Sequence, residues 1–265
     1  MGLRVFKVDS FTDKAFAGNP AGVCILTEPR DDAWIQNIAR EMNLSETAFL
    51  RKQEDGFSLR WFTPAAEVEL CGHATLATAH ILWETGILSP AESARFHTLS
   101  GLLTAERKGD WIELNFPATP DQPATAPPRL EEALGVRPKY VGKSKFDYLF
   151  EVDAEDTVRN LAPNFSLLRA MQVRGAIVTS RATSPGYDFV SRFFAPGIGV
   201  DEDPVTGSTH CCLGPFWSKR LGKNELTGYQ ASKRGGTVRV RVIGDRVYLS
   251  GQAITILRGE LAEHL

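Results

Sequence analysis

No stretch of the 265 residues approaches the roughly 18 uninterrupted apolar positions that a bilayer-spanning helix requires. The opening MGLRVFKVDSF reads as a strand, without the charged-then-apolar pattern of an export signal. Together these absences predict a cytoplasmic chain with no membrane partner. A basic excess is missing too: 30 Lys and Arg stand against 32 Asp and Glu, a net charge of −2, and no Lys/Arg run interrupts the balance. Nucleic acid is therefore not an expected partner. Cysteine is scarce, and Cys24, Cys71, Cys211 and Cys212 show neither a CxxC pair nor zinc-ligand spacing. In a reducing compartment they should be free thiols, packing as small hydrophobes. The chain has no Walker pattern, HExxH, GxSxG or dinucleotide fingerprint, which removes the usual support for phosphoryl transfer, zinc proteolysis and nicotinamide redox chemistry. Nothing demands a cofactor or a metal, and none is expected.

What is present is ordinary globular material, 43% hydrophobic and 23% charged, which excludes disorder and low-complexity readings. The sharpest change in composition is PATPDQPATAPPR at 117–129, whose prolines exclude helix interior and central strand. It predicts a linker between halves 1–117 and 129–265. Before it, RVFKVDSF, AGVCIL, ETAFL, SLRWFT, ARFHTL, LLTAE and WIELNF carry the β-branched and aromatic enrichment of short strands. DDAWIQNIAREM reads as a helix, and CGHATLATAHILWETG as another, where Leu76, Ala79, Trp83 and Ile87 recur at helical spacing and Gly86 supplies a stop. After the linker, KYVGK, YLFEV, GAIVTS, YDFVSRFFA, TVRVRVI and DRVYLSGQAITIL read as strands. GSTHCCLGPFWSKRLG reads as a helix stopping at Gly222, with a kink or break at Gly214-Pro215.

The two halves resemble each other. Arg60-Trp61-Phe62-Thr63-Pro64 matches Arg192-Phe193-Phe194-Ala195-Pro196 at an offset of 132 residues, and Cys71-Gly72-His73-Ala74-Thr75 lies opposite Thr206-Gly207-Ser208-Thr209-His210 at 135. Each copy is an aromatic strand, a proline turn, an acidic stretch and a small-residue turn opening a helix. Gly72 and Gly207 admit close approach to the backbone where the first N–H groups of a helix point outward, so each junction predicts an anion cradle. Two such cradles facing one cleft would grip a single carboxylate from both sides. A strand-turn-helix with Gly for packing would look the same.

Several groups near these junctions can move or hold protons. His73 falls in a first helical turn, where the dipole disfavours the imidazolium, although a buried core histidine has the same signature. Asp203 lies in DEDPVTGS just before Gly207, beside Asp201 and Glu202, which read as a solvated acidic loop. Ser208 faces His73 in the repeat, and a helix-start serine is also a common N-cap. Glu46, in NLSETAFL, opens an apolar strand; desolvation there would raise its pKa toward general acid–base use, whereas Ser45 capping a turn would leave it solvated. Asn19, before Pro20, offers a ligand both a donor and an acceptor, or simply forms a turn.

In this order and spacing, VDSFTDKAFAGNPAGVCIL, LSETAFL, LRWFTP, CGHATLATAHIL and RFFAPGIGVDEDPVTGSTH resemble the PhzF-like isomerases of phenazine biosynthesis, within the wider diaminopimelate-epimerase-like fold. The resemblance covers nearly the whole chain. It implies an α+β fold of two pseudo-symmetric domains, each a curved, mostly antiparallel sheet wrapped around a central helix, with the last strand free to belong to either half. It implies a homodimer, and an isomerase that moves a proton between carbons of a small, cyclic hydroxy- or amino-carboxylate, without a cofactor. By the same resemblance Glu46 is the general acid/base, His73, Asp203 and Ser208 hold or polarise the substrate, and Gly72, Gly207 and Ser208 supply backbone groups for its carboxylate; Asn19 joins the expected binding residues on its own donor and acceptor.

One position departs from the wider fold. Cys71 stands where cofactor-independent racemases carry one of two opposed cysteine bases, and the second position is Thr206. Two-base racemisation is thereby disfavoured. The Cys/Thr pair resembles hydroxyproline dehydratases, so Cys71 is an alternative base for a dehydratase or epimerase of a small amino acid. A non-catalytic small-molecule-binding protein is the remaining reading.

Overall fold

The computed structural model describes residues 2–262. Two compact units share the chain: residues up to Asn115 together with those from Ser250 onward, and Phe116–Leu249. Among the described residues no helix is long and apolar enough to cross a membrane.

The first unit begins with the hairpin β1 (Arg4–Ser10) and β2 (Asn19–Leu26), followed by helix α1 (Asp32–Met42), β3 (Glu46–Gln53) and β4 (Gly56–Phe62). After the two-residue β5 (Glu67–Val68) come helix α2 (Gly72–Glu84) and β6 (Ala94–Thr98), β7 (Gly101–Lys108) and β8 (Trp111–Pro117). Hairpin-joined neighbours pair antiparallel, whereas β2–β3 and β4–β6 pair parallel. A parallel pair needs a crossover, and α1 and α2 supply them. The C-terminal strand Ala253–Glu260 also belongs here, antiparallel to β1.

α1 starts at Asp31, whose carboxylate accepts from Trp34 N at 2.8 Å, and packs Ile35, Ile38 and Ala39 on Cys24, Phe49 and Phe62. α2 is different in kind. Its residues from His73 to Ala79, with Ile81, Leu82 and Trp83, are buried, so it is enclosed nearly all round, by β1, β2, β3 and the C-terminal strand. Its buried threonines return their hydroxyls to the preceding turn, Thr75 Oγ1 to Cys71 O at 2.5 Å and Thr78 Oγ1 to Ala74 O at 2.7 Å. The helix ends at Glu84, so Ile87 lies beyond it.

In the second unit the short edge strand β9 (Gln122–Pro123) and helix α3 (Leu130–Leu134) precede the hairpin β10 (Tyr140–Lys143) and β11 (Tyr148–Glu151). Short helices α4 (Glu155–Arg159) and α5 (Phe165–Arg169) lead to β12 (Ala176–Arg181), parallel to β11, and β13 (Phe189–Phe194), antiparallel to β12. Helix α6 (Gly207–Leu221) crosses to β14 (Glu225–Gln230), parallel to β13, and β15 (Gly236–Ile243) and β16 (Arg246–Gly251) follow. This is the first unit's pairing scheme repeated, with β9 beside β10 as the C-terminal strand lies beside β1.

The proline-rich stretch 117–129, expected as a linker, is bonded along its length. Ala118 N donates to Asp245 O at 2.8 Å, Thr119 N to Cys211 O at 3.0 Å and Ala124 N to Val141 O at 3.1 Å. The second of these explains why α6 runs through Pro215 instead of breaking. Proline cannot donate to the carbonyl of Cys211 one turn back, and Thr119 N satisfies that carbonyl instead. Gly214 is needed for packing, since a Cβ there would stand 2.7 Å from Val240 Cγ1 on β15. Strand β14 and helices α3 to α5 are not evident from the sequence pattern, and DRVYLSGQAITIL is two strands interrupted at Gln252.

The repeat extends to side chains. Arg60 grips Glu67 through Nε and Nη2, both at 2.7 Å, and its guanidinium lies 4.9 Å from the Phe62 ring centre. Arg192 grips Glu202 at 2.7 and 2.8 Å, also 4.9 Å from its own strand neighbour, Phe194. Glu202 is therefore not part of a solvated loop, and Asp201 is paired as well, with Arg169 at 2.6 Å.

Candidate active site

In the first unit, five of the residues expected to matter, Asn19, Glu46, Cys71, Gly72 and His73, come together at the start of α2. The parallel register Ala21↔Glu46 sets the beginnings of β2 and β3 side by side, and the helix start packs against them. Cys71 occupies the N-cap position but makes no side-chain cap bond, and Gly72 and His73 begin the first turn. Ser10 Oγ donates to His73 O at 2.8 Å, which fixes that turn.

His73 is 4% exposed, and burial pulls its pKa down to about 3, so the ring is neutral at physiological pH. Burial, rather than the helix dipole, is the cause. Asn19 Nδ2 has only hydrogens to offer, and it lies 3.2 Å from His73 Nδ1. Nδ1 is then the acceptor, and the ring proton sits on Nε2. That nitrogen is 3.2 Å from Glu46 Oε2 and 3.3 Å from Ser45 Oγ. Glu46 opens β3 with its side chain 19% exposed, between a buried strand and solvent. Cys71 Sγ lies 3.5 Å from His73 Nδ1, and the thiol is buried. All four cysteines are free and buried.

Glu46, Cys71 and His73 also present ligand atoms within 4.8 Å of one another, a donor set able to hold a divalent cation such as zinc. Asn19 is not a turn residue but the first residue of β2, completely buried. Ser45, read from the sequence only as a turn cap, instead joins Asn19 Oδ1 and Pro20 O, each at 3.4 Å, to the imidazole. Its place directly before Glu46 was the only available signal.

The second unit assembles a different set. Thr206 is the N-cap of α6, again without a side-chain cap bond; its hydroxyl donates to Asp203 Oδ2 at 2.5 Å. Gln230, fully buried at the end of β14, accepts from Thr206 N at 2.9 Å and donates to Asp203 O at 2.7 Å, so one amide holds the Asp203–Thr206 turn at both ends. Gly207 and Ser208 begin the helix. Ser208 is not the cap; its Oγ accepts from Arg174 Nη2 at 3.1 Å, and Arg174 is held by Asp147 through two contacts of 2.8 Å. Gln230, Arg174 and Asp147 escaped the sequence reading because each lies far along the chain from the motif it supports. Deeper in α6, His210 Nδ1 lies 2.8 Å from Thr206 O, and burial draws its pKa down to about 4.

Residues 8–259 match the family described as phenazine biosynthesis-like protein. An uncharacterized isomerase of Halalkalibacterium halodurans is 57% identical over 262 residues, which are 98% of this chain and 99% of that protein. The crystal structure of a phenazine biosynthesis protein of the PhzF family from Enterococcus faecalis superposes with a TM-score of 0.94 at 40% identity, covering 99% of this chain and 100% of that one. At the level of fold alone, a hydroxyproline epimerase from Agrobacterium vitis has a TM-score of 0.63 at 12% identity, covering 98% of this chain and 92% of its own.

Proposed function

The chain belongs to the phenazine biosynthesis-like PhzF family, and from that membership we propose that it is a cofactor-independent isomerase of a small, cyclic hydroxy- or amino-carboxylate, with Glu46 as the acid/base. The observation that carries the reading is the Glu46–His73 pair, a partly exposed carboxylate beside a buried neutral imidazole at the head of an enclosed helix. Glu46 removes a proton from a carbon of the substrate, and the electron pair left behind moves into the conjugated system ending at the substrate carboxylate. The protonated Glu46 then returns the proton to a different carbon. Atoms and charge balance with no oxidant or reductant. His73, donating from Nε2, stabilises the ionised form of Glu46 and orients it. Asp203, Gly72, Gly207, Ser208 and Asn19 are assigned to holding the substrate, and the active form is assigned as a cytoplasmic homodimer.

A second reading uses Cys71 as the base of a dehydratase or epimerase. What favours it is the Cys71 Sγ to His73 Nδ1 distance of 3.5 Å, which sets the thiol beside Glu46 and His73 at the head of the helix. Solvent-deuterium incorporation separates the readings. A panel of small cyclic and linear amino, hydroxy and unsaturated carboxylates is incubated with the protein in heavy water and analysed by mass spectrometry. Label entering one of them and lost in Glu46→Gln supports the first reading; label lost only in Cys71→Ala supports the second. Silence across the panel, with ligands still bound, would leave a binding protein.

A further inference from the structure

The strand registers allow the two units to be compared residue by residue at the position of the acid/base. Thr47 pairs with Phe62, and Ala176 pairs with Phe194, its counterpart in the repeat. Glu46 therefore corresponds to Gly175, and Ser45 to Arg174. In the first unit Ser45 reaches His73; in the second Arg174 reaches Ser208, the counterpart of His73. The contact is reproduced, but its chemistry is not. A side chain at Gly175 is excluded, because a Cβ there would stand 2.4 Å from the Phe193 ring. The second unit thus lacks a side chain at the position of Glu46 and carries a cation at the position before it, beside its helix start.

That cation is unusually fixed. Asp147 is 2% exposed and binds Nε and Nη2 of Arg174, while Nη2 also donates to Ser208. Among the described residues nothing accepts from Nη1. Arg174 lines a cavity of about 460 Å³ within the second unit, together with Lys143, Lys145, Phe146, Tyr148 and Met171. Lys143 and Lys145 have no carboxylate partner among the described residues; their ammonium groups rest 5.0 and 5.1 Å from the rings of Tyr148 and Phe146. Three cations against the single buried Asp147 leave the cavity positive, and its aromatic and methionine walls suit an apolar body.

We propose that this cavity is a binding site for a ring-bearing organic carboxylate, anchored on Nη1 of Arg174 with Lys143 and Lys145 at its edge. Asp147 positions the guanidinium, so a planar carboxylate meets a donor already oriented. The site does not need Glu46 as the base, but through the Arg174–Ser208 contact it borders the residues assigned to the substrate.

Benzoate, with the neutral benzamide and inorganic phosphate as comparison probes, tests it. Met171 is one of only three methionines, with Met1 and Met42, so methyl-labelled methionine gives a resonance that reports this cavity. The expected result is a saturable shift of the Met171 methyl signal with benzoate, and none with benzamide. Arg174→Gln alone would strand a buried Asp147, so the variant to use is Asp147→Asn combined with Arg174→Gln, which removes both charges. In that variant benzoate binding should weaken about tenfold or more, the loss expected for a charged hydrogen bond. An unmoved Met171 signal, an equal response to benzamide or to phosphate, or undiminished binding in the folded double variant would each overturn the proposal.

Discussion

Glu46 Oε2 and His73 Nε2 stand 3.2 Å apart, one from the first residue of β3 and the other from the first turn of α2. The proton between them belongs to the imidazole, because Asn19 takes the role of donor to the opposite ring nitrogen. Glu46→Gln keeps the size and loses the base. Proton exchange in heavy water should fall by about a hundredfold or more, the usual contribution of a general base, with the melting temperature little changed. Cys71→Ala should keep exchange within a few-fold of the parent, and an inactive Cys71→Ala protein would transfer the role of base to the thiol.

Asp203 is held by Thr206 Oγ1 and, through its backbone, by Gln230. Asp203→Asn is expected to lower turnover strongly while circular dichroism stays unchanged. A lower melting temperature with turnover intact would make the residue structural.

Stability should depend on pH through two buried histidines. The pKa of His73 is pulled from 6.5 to about 3 and that of His210 from 6.5 to about 4, so below about pH 6.5 the unfolded chain binds protons that the folded chain refuses. Their contribution is complete above pH 6.5 and is lost as the pH falls, at about 1.4 kcal/mol per pH unit for each histidine. Urea midpoints measured from pH 7.5 down to 4.5 should decline accordingly. His210 Nε2 has no partner among the described residues, and its ring lies 5.9 Å from Phe189, so His210→Phe should fit and flatten the decline. An unchanged slope would show that His210 does not titrate on unfolding.

Glu202→Ala removes both carboxylate contacts of an Arg192 side chain that is only 11% exposed. Leu161 O still accepts from Nη1 at 2.8 Å, so the guanidinium stays in place without its countercharge. A loss of about 2 kcal/mol is expected, read as a shift of the urea midpoint without change of slope.

Added zinc should quench proton exchange by binding the Glu46, Cys71 and His73 donors, which lie within 4.8 Å of one another. Chelator should restore exchange, and the protein treated with chelator alone should be fully active. Activity that vanishes with chelator and returns with metal would replace the proton-transfer reading by a metal-assisted one.

Most of the longer strands, the two central helices and the internal duplication were legible in the sequence because they depend on local periodicity and on short motifs; β14 was not. Gly72-His73 and Gly207-Ser208 both stand at helix starts, and Glu46 stands at a strand start, as the pattern indicated. What the pattern could not show is which side chains meet. Asn19 pairs with His73 across 54 positions of sequence, Gln230 with Asp203 across 27, and Arg174 with Ser208 across 34. Those contacts follow from strand register and from the parallel crossovers, which are long-range and leave no periodic trace. The same limit explains α6: Gly214-Pro215 is a helix breaker by local rules, and only the packed position of Thr119 beside Cys211 O makes it tolerable. Sequence alone determined the duplicated frame and the residue types at each helix start. Tertiary structure decided the protonation of His73 by burying it, and set Arg174 against Ser208 at the position where the other unit sets Ser45 against His73, because hydrogen bonding and desolvation act on neighbours in space.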